Sequence, residues 1–115
     1  MDELYFSKGK STDLLIVPVN PDGSAYVPDG SVTSVVFSAK NGEFGDVLIS
    51  KELQWDSDEG GYLLSLEPSD TENLSEGLYS YDVSYYTSAG GFYDLISSNR
   101  LYITRSVSVF EENNE

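Results

Sequence analysis

Apolar and polar residues alternate along most of this chain. From Leu78 to Thr87, Tyr79, Tyr81, Val83 and Tyr85 share one parity and Ser80, Asp82 and Ser84 the other. From Tyr62 to Glu67, Tyr62, Leu64 and Leu66 oppose Leu63, Ser65 and Glu67. From Val32 to Lys40, Val35, Phe37 and Ala39 line one side. A period of two is that of an extended strand with one dry and one wet face, and a wet outer face points to antiparallel sheets. Further strands are expected at Leu4–Ser7, Thr12–Val19, Ala25–Val27, Val47–Trp55, Phe92–Ile96 and Leu101–Val109. Pro18 lacks an N–H, so the end of the Thr12 strand is expected to leave the sheet or lie at an edge.

Turn chemistry separates these segments at short intervals, as an all-β sandwich requires. Asn20-Pro-Asp-Gly23, Pro28-Asp-Gly30, Asn41-Gly42, Asp56-Ser-Asp-Glu-Gly-Gly61, Gly90-Gly91 and Ser97-Ser-Asn99 all read as breaks. Gly supplies positive φ, Pro presets φ, and Asp or Asn closes local side-chain turns. No segment keeps a helical period over three turns. One short helical piece is expected at Ser69–Leu74, with Ser69 or Asp70 as its cap, joining one sheet to the other.

Leu74-Ser-Glu-Gly77-Leu-Tyr79 has the form of a tyrosine corner. In that device a Tyr just inside a strand bonds its hydroxyl back to upstream backbone and pins the corner of an immunoglobulin-like sandwich. The fold expected is an all-β, immunoglobulin-like antiparallel β-sandwich of about seven to nine strands. It occupies residues 1–110, and the polar run Glu111–Glu115 forms a flexible tail.

Composition narrows function mainly by exclusion. The 115 residues suit one domain with a core of its own. The chain has no Cys and no His, which removes thiolate chemistry, Cys-based zinc sites and the commonest general base. It carries 20 acidic against 6 basic residues, a net charge of -14, so it repels nucleic-acid backbones and anionic membranes. Solubility is the plain reading of that charge, and a basic partner surface the sharper one. No charged-then-apolar leader opens the chain, and no apolar run approaches the ~18 residues of a membrane span. An intracellular start is therefore expected.

The order of motifs resembles the small immunoglobulin-like domains of tailed-bacteriophage virions, including the amino-terminal domain of baseplate upper proteins. The resemblance runs through Lys8-Gly9-Lys10-Ser11-Thr12-Asp13-Leu14, Pro21-Asp22-Gly23, Val32–Lys40 and Gly61-Tyr62-Leu63-Leu64. Its most specific part is Asp70-Thr71, Leu74, then Gly77-Leu-Tyr79-Ser-Tyr81-Asp82-Val83, and it closes on Tyr93–Ser97 and Leu101–Arg105. Gly9 is followed by Lys10, where the family pattern has Gly-Asp. The resemblance implies a structural part of a virion, made in the host cytoplasm, whose partners are other virion proteins and copies of itself. It brings no catalytic residue and no cofactor.

Other constellations have plainer readings. Asp56 and Asp58, in an acidic Gly loop, are the candidates for a metal, but the loop lacks the third alternating acid and the downstream Glu of a calcium loop, so a solvated turn is preferred. Tyr79, Tyr81 and Tyr85 share parity with Val83 and are expected in the core, whereas Tyr86 and Tyr102 fall on the outer parity. Trp55 ends a strand beside an acidic turn and reads as core plug or contact residue. Trp55, Tyr86 and Tyr102 are thus the interface candidates, because rings with one dry and one wet side are enriched where proteins meet. A carbohydrate platform for attachment to a host glycan is the alternative reading of the same rings. No paired-carboxylate cleft, nucleophile elbow or phosphate loop is recognisable, so an enzyme is not expected.

Overall fold

The structure is a computed structural model describing residues 3–42 and 45–105. Its strands are β1 (Leu4–Ser7), β2 (Thr12–Ile16), β3 (Val32–Lys40), β4 (Val47–Asp56), β5 (Gly61–Leu66), β6 (Gly77–Thr87) and β7 (Phe92–Thr104). One helical turn, α1 (Pro68–Thr71), separates β5 from β6. The lateral order is β1-β7-β6-β3-β4-β5-β2.

Strand β4 makes this continuous order into a sandwich. Its first part pairs with β3, from Lys40↔Val47 to Val35↔Leu53. Its last residues, Gln54, Trp55 and Asp56, pair instead with β5. The larger sheet is therefore β1-β7-β6-β3-β4, and the smaller one is the end of β4 with β5 and β2. Inward residues of both sheets build one core. Phe37, Val83 and Leu101 of the larger sheet are fully buried with Ile16 and Leu64 of the smaller. The alternation anticipated for β3, β5 and the first half of β6 is the one observed.

The short helix is the expected crossing between sheets, but its start differs. It opens at Pro68, with Glu67 as the cap residue, so Asp70 is its third residue rather than its cap. Pro is tolerated there because the first helical N–H has no intrahelical partner. The Glu67 N–H donates to Asp70 Oδ2 at 2.7 Å, and Lys51 Nζ lies 3.0 Å from the same oxygen. Partial burial opposes ionisation of Asp70, yet that N–H and the ammonium outweigh it and hold the carboxyl below its ordinary range. Thr71 is buried, and its Oγ1 accepts the Gly9 N–H at 2.8 Å. Gly9 has φ 72°, which suits glycine in the turn from β1 to β2. Two of the connections that cross between the sheets are thereby bonded to each other.

Three expectations need correction, and one about Pro18 holds. The edge strand β1 runs parallel to β7, from Leu4↔Leu101 to Ser7↔Thr104, in an otherwise antiparallel arrangement. Ser97-Ser-Asn99 does not end a strand: β7 runs through it and absorbs the extra residues as register shifts opposite Tyr81–Ser84. The first long strand stops at Ile16, and its end at Pro18 leaves the sheet as expected, because Pro18 cannot donate to the ladder. Ala25–Val27 forms no strand, only a bridge from Ala25 to Val19. Residues 106–110, at the end of the expected last strand, and the tail 111–115 lie outside the described residues.

Candidate functional site

The outer face of the larger sheet carries two clusters of exposed aromatic residues. At one end, Tyr5 of β1 stacks on Tyr102 of β7, ring centroids 4.8 Å apart and planes 11° apart. Leu78 of β6 lies opposite Tyr102 and continues the row. Tyr5 is 63% exposed, whereas Tyr102 is half-buried under its stacking partner. The Arg100 guanidinium bonds Glu3 at 3.3 Å beside this stack, and the Tyr5 hydroxyl donates to the same carboxylate at 3.2 Å.

At the other end the β6–β7 hairpin sets Tyr86 opposite Phe92. The hairpin is closed by Thr87 N–H to the Gly91 carbonyl at 2.9 Å and Gly90 N–H to the Thr87 carbonyl at 3.0 Å, with Gly90 at φ 88°. The two rings touch at 4.5 Å, and they remain 45% and 59% exposed. Large rings left this open on a folded surface are what contact sites present.

Between the two aromatic ends the face is polar and hollow. A cleft of about 270 Å³ lies over β3, β6 and β7, with Tyr86 and Phe92 on one side and Lys40 and Val47 on the other. Asp82, Asp94 and Ser84 line it. Ser84 is buried although it faces outward, and its hydroxyl donates to Asp94 Oδ1 at 3.4 Å. Burial, then the neighbouring Asp94 charge, pushes the Asp82 carboxyl above its ordinary range, with Lys40 pulling the other way. The folded chain therefore holds the Asp82 proton more tightly than the unfolded chain does. The resulting penalty is complete above the raised folded pKa and vanishes below the ordinary value of 3.8. Asp82→Asn is accordingly expected to raise the melting temperature at about pH 7 and to change it little at about pH 3. Equal shifts at both pH values in thermal melts would contradict this.

The other sequence candidates are placed elsewhere. Trp55 is half-buried where β4 changes sheets, edge-on to Tyr62 at 5.0 Å and to Tyr26 at 6.2 Å. It packs against the core and also borders a hollow of about 300 Å³ beside Gly30, Ser34 and Gln54. Its packing against the core fits the core-plug reading. Burial, aided by the Tyr26 hydroxyl, holds the Tyr62 phenol well above its ordinary range, consistent with a core ring. Asp56 accepts the N–H groups of Asp58 and Glu59 at 3.0 and 3.1 Å, so one of its oxygens shapes its own loop. Among the described residues no three carboxylates gather as a metal would need. Tyr79 donates its hydroxyl to the Ser75 carbonyl at 2.6 Å, closing the corner read from Leu74, Gly77 and Tyr79.

Sequence reading missed Tyr5, Phe92 and Asp94. The signal for two of them was present. A hairpin through Ser88-Ala-Gly-Gly91 pairs Tyr86 with Phe92, which puts Asp94 on the same face as Ser84 and Asp82. Tyr5 is brought to Tyr102 by a pairing between opposite ends of the chain, which no local pattern reveals.

No family model matches the chain, and no curated protein matches it. Among solved structures it is similar to CopC from Methylosinus trichosporium OB3b, at 14% identity and a TM-score of 0.46, over 95% of this chain and 88% of that one. Within the described residues, the fold is an immunoglobulin-like β-sandwich whose larger sheet exposes two aromatic patches around an acidic cleft.

Proposed function

We propose that the chain is a non-enzymatic virion structural protein of a tailed bacteriophage, an immunoglobulin-like module that docks to neighbouring tail, neck, baseplate or capsid proteins and to copies of itself. The observation that carries docking is the pair of exposed ring clusters on one sheet face, Tyr5–Tyr102 and Tyr86–Phe92. The virion setting is supported by the ordered string from Asp70-Thr71 to Gly77-Leu-Tyr79-Ser-Tyr81-Asp82-Val83. Many copies on a symmetric particle make individually weak contacts sufficient.

Rings that gain burial only in an assembly matter to the assembly and little to the isolated fold. Tyr5→Ala and Tyr86→Ala are expected to leave the urea midpoint of the isolated chain nearly unchanged and to reduce its incorporation into particles. Tyr102→Ala is expected to reduce incorporation too, with some loss of stability because Tyr102 is half-buried. Particles assembled with each variant are separated on a gradient and the chain is quantified by mass spectrometry. Normal incorporation of all three variants would remove this face as the interface. Absence of the wild-type chain from purified particles would remove the virion assignment.

A further inference from the structure

We propose that the cleft between the two aromatic patches receives a lysine or arginine side chain of the docking partner, with Asp82 and Asp94 as its counter-ions and the Tyr86–Phe92 pair as its apolar wall. The inference rests on the docking function proposed above and specifies the chemistry of its partner.

Three observations select a cation. First, the hollow is side-chain sized, at about 270 Å³, and opens on a surface already marked by exposed rings. Second, its charged groups do not balance: among the described residues of its lining, Asp82 and Asp94 face it with Lys40 as the one cation. The chain as a whole carries -14, so the long-range field also favours a positive partner. Third, the exposed ring faces next to the carboxylates suit the stem and head of a long cationic side chain. An ammonium or guanidinium is attracted to an aromatic face, and a guanidinium also stacks on it.

The electrostatics of the cleft point the same way. Asp82 is held above its ordinary range by burial and by Asp94, and Lys40 only partly offsets this. A second cation would relieve the repulsion that Lys40 leaves. A neutral sugar would cover the two carboxylates without compensating them, and an anion would worsen the imbalance. Ser84, buried beneath and bonded to Asp94 Oδ1, restrains that carboxylate before any partner arrives. Restraint of this kind lowers the ordering cost of binding.

The test titrates the full chain with a capped Gly-Arg-Gly peptide at low salt, followed residue by residue through amide chemical shifts. The same peptide with citrulline for arginine keeps the shape and removes the charge. Saturable shifts at Ser84, Tyr86, Phe92 and Asp94 are expected with arginine and not with citrulline. The double variant Asp82→Asn, Asp94→Asn is expected to bind about tenfold more weakly or worse, a loss of roughly 1.4 kcal/mol. Asp56→Asn with Asp58→Asn makes the same change in net charge in a distant loop and is expected to leave the affinity unchanged. Should the first double variant fail to fold, as judged by circular dichroism, Tyr86→Ala serves in its place with the same expected weakening.

Shifts scattered over all the acidic turns, an equal response to citrulline, or equal weakening by both double variants would overturn the proposal. A response to maltotriose with none to the arginine peptide would overturn it in favour of a glycan. Loss of the peptide response, with Tyr86→Ala still depleted from particles, would remove the cation and leave docking intact. Arginine binding with normal incorporation of every ring variant would instead support the cation site and remove this face as the docking surface.

Discussion

Phe37→Ala is expected to destabilise the domain by about 3–5 kcal/mol, through lost transfer energy and the cavity left behind. Phe37 is fully buried on β3, stacked on Tyr81 at 5.5 Å and set against Phe6 at 6.4 Å. Those two rings come from β6 and β1, whose backbones are held by their own ladders and cannot collapse into the space. A loss of this size takes a large share of the roughly 5–15 kcal/mol that holds a domain together. Urea unfolding measures it directly, with Val36→Ala on the outer side of the same strand as the comparison. A loss for Phe37→Ala no larger than that for Val36→Ala would mean that β3 does not face the core as described.

Tyr79→Phe is expected to cost about 1–3 kcal/mol, because it leaves the Ser75 carbonyl without its partner. The ring of Tyr79 is buried and stays in place in the variant, so the difference isolates the hydroxyl and its 2.6 Å bond. That bond holds the turn that delivers the chain from α1 into β6, the strand that supplies Tyr81 and Val83 to the core. The loss is therefore expected in the unfolding midpoint of the whole domain. Unchanged urea unfolding would show that the corner is closed by other contacts.

How much of this was legible depends on the distance over which each signal acts. The faces of β3, β5 and β6 were readable because a period of two is written in consecutive residues. The corner was readable because Gly77, Tyr79 and their acceptor Ser75 are neighbours in sequence. The path of β7 was not. Ser-Ser-Asn carries turn chemistry, and only pairing with β6, which sets Asn99 opposite Tyr81 and Ile96 opposite Val83, draws it into a strand. The parallel pairing of β1 with β7 joins strands from opposite ends of the sequence, so nothing near Leu4 announces it. The cleft fell between these cases. Asp82 was correctly assigned to the wet face of β6, but the partnership of Ser84 with Asp94 depends on the hairpin register that sets Tyr86 opposite Phe92, which the alternation within each strand alone cannot supply. Likewise the Gly9 turn and Thr71 were both noted as motifs, while the hydrogen bond between them needed the fold.

The parallel seam between β1 and β7 has a mechanical consequence. Leu4–Ser7 and Leu101–Thr104 point the same way, rung beside rung, with the Lys8 N–H reaching the Thr104 carbonyl at 2.9 Å and the Thr104 hydroxyl reaching the Phe6 carbonyl at 3.2 Å. A pull applied to the backbone before Leu4 and after Thr104 draws these strands in opposite directions along their own axes. The inter-strand bonds then lie across the load and share it, instead of opening one at a time from an end as in a pulled hairpin. Tension passed through the domain from one flank to the other thus meets the seam in shear, the direction in which a short ladder yields least readily.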